Sequence, residues 1–363
     1  MKINSISSWL PNYNEKEPLV IAGPCSAETL EQMLATAHAL KNIPSVKIFR
    51  SGIWKPRTRP NNFEGLGEVA LPWLNEVKKQ TGLLTTTEVA TAKHVELCLK
   101  HGVDILWIGA RTTANPFSVQ EIADALKGVD IPVMIKNPIN ADLQLWIGAI
   151  ERINHAGINN IIAVHRGFSI ADKLEFRNDP LWRIPMELKV KFPELPLICD
   201  PSHITGNRNL IQKVCQKAMD MSMDGLIIET HPNPDSAWSD AAQQITPEKL
   251  KTILSELSYK TEYSNDLDFS AQLNNLRDQI DRLDNELLHT LKLRKDIVEK
   301  IANAKTQQNI TALQVNRFEK LMKERIDIGR TLGLDELFVK EIFDSIHDQS
   351  IKLQTDLFER SKK

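Results

Sequence analysis

The chain has 363 residues, enough for two or three domains, and an apolar content of 42% that can fill a sizeable core. Its 45 lysines and arginines against 47 aspartates and glutamates leave no global field to recruit nucleic acid or an anionic membrane, so any anion binding must be local. No stretch approaches the roughly 18 apolar residues of a membrane span, the first 19 residues lack a signal-like apolar core, and four scattered cysteines argue against a disulfide framework, so the expected location is the cytoplasm.

In chain order, short apolar runs occur at 19–23, 46–49, 83–87, 105–110, 133–135, 161–164, 197–199 and 226–228. Helix-length segments separate them. Parallel strands joined in this way need right-handed crossovers, and eight units within about 230 residues match an α/β fold of the closed (β/α)8 TIM-barrel type. An open doubly wound sheet is the alternative, but it would usually show a glycine-rich phosphate turn after the first strand, and Gly23-Pro24-Cys25-Ser26 lacks that fingerprint.

A closed barrel delivers the residue at each strand tip to one shared mouth. The tips here carry Cys25, Arg50, Glu88, Arg111, Lys136, His165 with Arg166, Asp200 with His203, and Glu229. Cys25 sits in a Gly-Pro turn and reads as a ligand, whereas Cys98, Cys199 and Cys215 read as buried filler. Together Cys25, His203, Glu229 and Asp240 offer a thiolate, an imidazole and two carboxylates, a set suited to a divalent first-row transition ion such as Mn, Fe, Co or Zn rather than Ca or Mg. Arg50, Arg111, Lys136 and Arg166 bring four cations to the same mouth, where an anionic ligand must balance them. Lys55-Pro56-Arg57-Thr58 supplies further cations and a hydroxyl on the loop after the second strand, as a second phosphate requires. Glu88, Asp104, His94, His101 and His155 carry no signal above structural or surface roles, and His231 is expected to orient a neighbour.

Beyond Leu257 the strands stop, and 258–265 is polar and without periodicity. Residues 1–257 are therefore expected to form the barrel, 258–268 a linker, and 269–363 a helical domain. Leu273, Leu276, Ile280, Leu283, Leu287, Leu291, Ile297 and Ile301 mark a long amphipathic helix; two more are expected near 315–329 and 335–360, with Gly329 as a C-cap and Gly333 in the turn between them. Three amphipathic helices in about 95 residues bury their apolar faces poorly alone, which predicts a homodimer.

The barrel segment resembles the 3-deoxy-D-arabino-heptulosonate 7-phosphate (DAHP) synthase family over roughly 18–257. The resemblance is carried by Gly23-Pro24-Cys25-Ser26, Lys55-Pro56-Arg57-Thr58, Ile108-Gly109-Ala110-Arg111-Thr112, Val164-His165-Arg166-Gly167, Asp200-Pro201-Ser202-His203 and Ile228-Glu229-Thr230-His231-Pro232. It implies that Arg50, Lys55, Arg111, Lys136 and Arg166 surround phosphoenolpyruvate and that Arg57 and Thr58 grip the phosphate of erythrose 4-phosphate. It also implies a substrate-side role for Asp200, a metal held by Cys25, His203, Glu229 and Asp240, and Lys55 as proton donor to the new alkoxide. The related synthase using arabinose 5-phosphate usually carries a Lys-Ala-Asn-Arg type sequence where this chain has Lys55-Pro56-Arg57-Thr58. After Lys136, Asn137-Pro138-Ile139-Asn140 replaces the glycine-containing turn common in the family.

The tail, 276–354, resembles the all-helical chorismate mutase domain, with Arg277, Arg294, Lys305, Arg317, Ser350 and Gln354 at family spacing. The implied reaction rearranges a dicarboxylate without nucleophile or metal: arginines hold carboxylates, and Lys305 and Gln354 reach the ether oxygen. Gln314 and Phe318 stand where the family commonly has acidic residues, with Glu319 one place on, so the expectation is either a reduced mutase activity or a hydroxyl contact taken over by Gln314 or Glu319. Arg277 and Arg294 are 17 positions apart, about 25 Å along a helix and about 100° in azimuth, so Arg277 is expected to serve a partner's pocket. As a fused domain this tail is also expected to sense chorismate or prephenate and damp the barrel; a dimerisation arm without catalysis, and a barrel that is a non-enzymatic scaffold, are the alternatives.

Overall fold

The computed structural model describes residues 1–55, 63–169, 175–259 and 266–360, and the chain divides into two compact units, Met1–Glu262 and Tyr263–Lys363. Among the described residues no helix is long and apolar enough to cross a membrane.

The first unit is the expected barrel. Strands β1 (Leu19–Gly23), β2 (Val46–Arg50), β3 (Leu84–Val89), β4 (Ile105–Ile108), β5 (Val133–Lys136), β6 (Ile161–His165), β7 (Leu197–Cys199) and β8 (Gly225–Glu229) pair in parallel and in sequence order. The ring closes where Leu19 to Gly23 pair with Gly225 to Glu229. Between strands run α1 (Leu30–Lys41), α2 (Leu71–Thr81), α3 (Ala92–Lys100), α4 (Ala110–Thr113), α5 (Pro116–Ala125), α6 (Leu143–His155), α7 (Arg183–Lys191), α8 (Pro201–Thr205) and α9 (Ile211–Asp220), and α10 (Pro247–Glu256) follows β8.

Alternation along each strand sorts the core into two shells. Ile21, Ile48, Trp107, Met134, Ile162, Val164, Ile198 and Ile227 fill the barrel interior. Val20, Ala22, Phe49, Leu106, Ile135 and Ala163 face outward against the helices. Several helices start at the mouth under a polar cap: Thr29, Thr91, Asn115, Asp142 and Asp200 each accept a hydrogen bond from a first-turn amide, which fixes where the preceding loop ends. The N-terminal segment adds something the apolar runs did not announce. Ile6 and Leu10 join the interior cluster with Leu19 and Ile105 and stop the end of the barrel opposite the mouth.

The second unit consists of α11 (Leu267–Gln307), α12 (Val315–Thr331) and α13 (Glu336–Arg360), with α13 packed along both others. Helix α11 starts six residues earlier than its apolar periodicity suggests, because Asp266 caps it by accepting from the Phe269 amide; it therefore begins inside the segment expected to be linker. At 41 residues it is about 60 Å long. In its first half Leu276, Ile280, Leu283 and Leu287 are each more than half exposed among the described residues. One expectation is corrected here. Gly329 is not a C-cap but an interior residue of α12, where a side-chain carbon would lie 2.6 Å from Val339 Cγ2, so glycine is there to let α13 approach. Gly333, at φ +73°, makes the turn.

Candidate active sites

At the barrel mouth, β1, β7 and β8 and the loop after β8 bring the four expected metal ligands together in pairs. Cys25 Sγ lies 3.4 Å from Asp240 Oδ2, and His203 Nε2 lies 3.8 Å from Glu229 Oε1. Among the described residues no three His, Cys, Asp or Glu side chains form a ready-made cluster. Protein cations stand between the pairs instead. Lys55 Nζ is 3.0 Å from Cys25 Sγ and donates to the Cys25 carbonyl at 3.0 Å. Arg50, 1% exposed, donates to Glu229 Oε1 at 3.0 Å and to the Cys25 carbonyl at 2.9 Å, while its guanidinium lies 4.8 Å from the centre of the Trp107 ring.

The donor chemistry nonetheless fits a transition metal. Asp200 is fully buried and its carboxyl is held well below the usual range, because His203 and Lys136 outweigh the opposing effect of burial. As a carboxylate it can only accept, so at 2.9 Å it accepts a hydrogen bond from His203 Nδ1–H and leaves the Nε2 lone pair on the side of Glu229. Burial lowers the pKa of His203, which keeps the ring neutral as a ligand must be. The Cys25 thiol is pushed up to about 12 by burial and by Glu229, against the pull of Lys55. Lys55 is itself raised: burial works to lower it, but Cys25 and Glu229 prevail. The thiol therefore needs a cation before it can ionise, and a metal would supply one.

Above this layer lies a pocket of about 90 Å³ lined by Lys55, Glu88, Arg111, Lys136, Arg166, Arg177, His203 and Asp240, with Gly109 and Ala110. Lys136 donates to Asp200 at 2.7 Å. Arg166 donates to Asn178 Oδ1 at 2.8 Å, and burial lowers its pKa to about 10. The structure thus brings Lys55, Arg111, Lys136 and Arg166 to one opening and sets Arg50 below it. Arg57 and Thr58 lie outside the described residues.

Several residues that hold this arrangement were not singled out in the sequence. Glu88, passed over as structural, lines the pocket and accepts from Trp107 Nε1 at 3.1 Å; Gly109 passes so near that a side-chain carbon there would lie 2.0 Å from its carboxylate. Its position at a strand tip was the available signal. Arg177 donates to Asp240 at 3.1 Å and to Gln243 Oε1 at 2.8 Å, Gln243 in turn donates to Glu229 Oε2 at 2.7 Å, and Gln244 accepts from the Cys25 amide at 3.0 Å. Nothing local marks these amides. Asn137 does the work of the missing glycine turn beside Lys136: it donates to the Gly167 carbonyl and accepts from the Arg166 amide, both within 2.8 Å. Ser26 and Ser239 are hydrogen-bonded at 2.6 Å, and Glu28 accepts from the Trp238 amide at 2.8 Å and pairs with His231 Nε2 at 3.3 Å, so the loops bearing Cys25 and Asp240 are tied together.

In the helical unit Arg294 donates to Ser350 Oγ at 2.5 Å, and the Ser350 hydroxyl donates to the Ile346 carbonyl at 2.7 Å. Gln354, 6% exposed, donates to the Ser350 carbonyl at 3.2 Å. Lys305 donates to the Ala312 carbonyl at 2.6 Å. Arg277, Gln314, Arg317 and Glu319 are exposed, and Arg277 stands in the uncovered half of α11. A groove of about 420 Å³ runs between α11 and α13. Of the expected residues Arg294 and Ser350 line it.

Comparison with known proteins agrees with this division. Residues 12–265 match the model of the DAHP synthetase I family, and residues 276–355 match that of chorismate mutase type II. A phospho-2-dehydro-3-deoxyheptonate aldolase of Thermotoga maritima is 32% identical over 238 residues, which is 66% of this chain and 68% of that protein. A 2-dehydro-3-deoxyphosphooctonate aldolase of Caulobacter vibrioides is 25% identical over 261 residues, covering 67% of this chain and 88% of the relative. Among solved structures, that of the Thermotoga maritima DAHP synthase superposes with a TM-score of 0.59 at 31% identity, over 65% of this chain and 67% of the other. The chain carries a DAHP synthase (transferase) domain and a chorismate mutase (isomerase) domain, the make-up of a bifunctional shikimate-pathway enzyme. Through its barrel, this protein belongs to the DAHP synthetase I family.

Proposed function

We propose that the barrel condenses phosphoenolpyruvate with erythrose 4-phosphate and water to give DAHP and inorganic phosphate, with a divalent metal of the Mn, Fe, Co or Zn type. The observation that carries the reading is the pairing of Cys25 with Asp240 and His203 with Glu229 directly beneath a cationic opening. When bound by these four side chains, the metal supplies Lewis acidity to the aldehyde oxygen. Arg111, Lys136 and Arg166 hold phosphoenolpyruvate so that its C3 faces the aldehyde carbon, and Arg57 and Thr58 take the second phosphate. Asp200 fixes Lys136 and His203 in place, and Arg50 anchors Glu229 from below. As the carbon–carbon bond forms, Lys55 gives a proton to the new alkoxide; water adds at C2, loses a proton, and phosphate leaves.

Erythrose 4-phosphate is preferred over arabinose 5-phosphate because the chain is 32% identical to the heptonate aldolase against 25% to an octonate aldolase, and because Lys55-Pro56-Arg57-Thr58 departs from the pattern of the latter. Phosphate release from phosphoenolpyruvate with each sugar phosphate, with and without chelation, tests both points. Release unchanged by a chelator would remove the metal, and faster release with arabinose 5-phosphate would reassign the substrate.

The helical unit then converts chorismate to prephenate as a homodimer. Arg294 and Arg317, with Arg277 from a second copy, hold the two carboxylates; Lys305 and Gln354 face the ether oxygen, and Ser350 orients Arg294. The exposed stripe Leu276, Ile280, Leu283 and Leu287 supports a second copy as its cover, since it continues the helix that carries Arg277 and Arg294. Chorismate or prephenate bound at this unit damps the barrel, which a condensation assay with added prephenate checks. The cytoplasm is the proposed location. Domain limits of 1–257 and 269–363 serve for testing each half.

A further inference from the structure

The face of α13 that carries Ser350 and Gln354 holds a third polar side chain. His347 lies three residues before Ser350 and seven before Gln354, about 60° and 20° away around the helix. Its Nε2 is buried and, among the described residues, has no hydrogen-bond partner; the same holds for Gln354 Oε1. Two orphaned polar atoms on one helix face are costly unless something else pairs with them, at roughly 1–3 kcal/mol each. The His347 ring is fixed rather than loose, because it packs against Phe318 of α12 with centroids 4.2 Å apart and planes tilted by 33°.

We propose that His347 is a substrate-contacting residue of the mutase pocket, its Nε2 hydrogen-bonding the ring hydroxyl of the cyclic dicarboxylate. The proposal rests on the mutase reading above. It gives His347 the contact expected of Gln314 or Glu319, because its nitrogen is buried and, among the described residues, without a partner. Chemistry selects the hydroxyl. Burial is the main influence lowering the pKa of His347, Arg294 and Lys305 add to it, and Asp348 and Asp344 of its own helix oppose it; the net shift is downward, which favours the neutral ring. Carboxylates pair best with guanidinium groups, and a neutral imidazole nitrogen, able to donate or accept one proton, matches a neutral hydroxyl. Phe318 offers no polar atom, so it acts as the wall that aims the ring. No covalent step is involved.

The test compares His347→Phe and His347→Gln with the native full-length chain, reading chorismate turnover and prephenate binding by calorimetry. Phenylalanine keeps a ring packed against Phe318 but deletes the nitrogen; kcat/KM is expected to fall about tenfold or more, with prephenate affinity falling in parallel. Glutamine, whose amide reaches the position of Nε2, is expected to restore most of both. A phenylalanine variant as active as the native chain overturns the proposal and leaves the mutase reading intact. A native chain that neither turns over chorismate nor binds prephenate overturns both together. If His347→Phe shifts the thermal midpoint, the comparison moves to chorismate methylated on its ring hydroxyl: the native chain must prefer the free hydroxyl, and that preference must shrink in His347→Ala. An undiminished preference overturns the proposal.

Discussion

In the barrel the deepest charges neutralise one another, Arg50 against Glu229 and Lys136 against Asp200, all four nearly inaccessible to solvent. The helical unit is built the other way round. Arg277 and Arg317 stand in solvent, with no ion pair to another side chain of their own unit among those observed in the described residues. A closed sheet brings eight strand tips to one place, so a single chain can finish a site and lock it with ion pairs. Three helices enclose much less. A pocket on them stays open until another surface arrives, and the exposed stripe on α11 is where that surface would sit.

This contrast would break first at the metal. Cys25→Ser, or removal of divalent ions by a chelator, should abolish condensation, by roughly 10³-fold or more, because the thiolate and the Lewis acid are lost together. Chorismate turnover by the same samples should be unchanged. Equal loss of both activities would mean that the two sites are not separable.

The next effect belongs to the helical unit. Arg294→Ala should lower chorismate turnover by about 10²-fold to 10³-fold, the range for one lost stabilising donor, while phosphate release from the barrel continues. Leu283→Asp with Leu287→Asp should have a similar result by another route. Both side chains are about three-fifths exposed in the single chain, so charging them costs little there. In a dimer they would be buried, at about 1.5–3 kcal/mol each, and the variant should sediment as a monomer and lose mutase activity. A monomeric variant with full turnover would show that Arg277 does not serve a partner's site.

The two units were also unequally legible. Barrel topology and the mouth residues followed from apolar runs and the side chains at their tips, since closure makes every tip a neighbour of every other. What stayed hidden were contacts between residues far apart whose types carry no signal. Gln244 holds the Cys25 amide across 219 positions, and Asn137 stands in for a glycine turn by bonding backbone 30 positions away. The plug formed by Ile6 and Leu10 is two side chains in a polar segment, too few to make a period. In the tail, periodicity located three helices but could not show that Gly329 is there for Val339, because close approach depends on the partner helix.

Stability against pH should separate the units more gently. His165 is fully buried beside Phe168 and Trp182, and burial, with Arg166 nearby, lowers its pKa to about 3. The unfolded chain binds this proton near pH 6.5, so the folded form binds fewer protons between pH 6.5 and 3. Its contribution to stability is present above pH 6.5 and is lost as pH falls through that window, about 2 kcal/mol by pH 5. The barrel's denaturation midpoint should therefore drop over this range, and the drop should be smaller in His165→Phe. An unchanged slope in that variant would assign the acid sensitivity elsewhere.

The smallest expected effect concerns Glu28, which touches none of the proposed ligands. It accepts from the Trp238 amide and pairs with His231, two residues beyond Glu229, and Trp238 is two residues before Asp240. Asp240 itself has φ +46°, a backbone conformation that a non-glycine residue keeps only when its surroundings enforce it. Glu28→Gln should thus leave the fold intact and loosen the spacing of Asp240 from Cys25, weakening Mn or Zn binding about tenfold when titrated by calorimetry. Condensation at saturating metal should then recover most of its native rate, because the ligands are present and only their preorganisation is reduced. If affinity is unaltered, Ser26 with Ser239 and Gln244 with Cys25 suffice to set that distance, and the buried Glu28–His231 pair serves the fold alone.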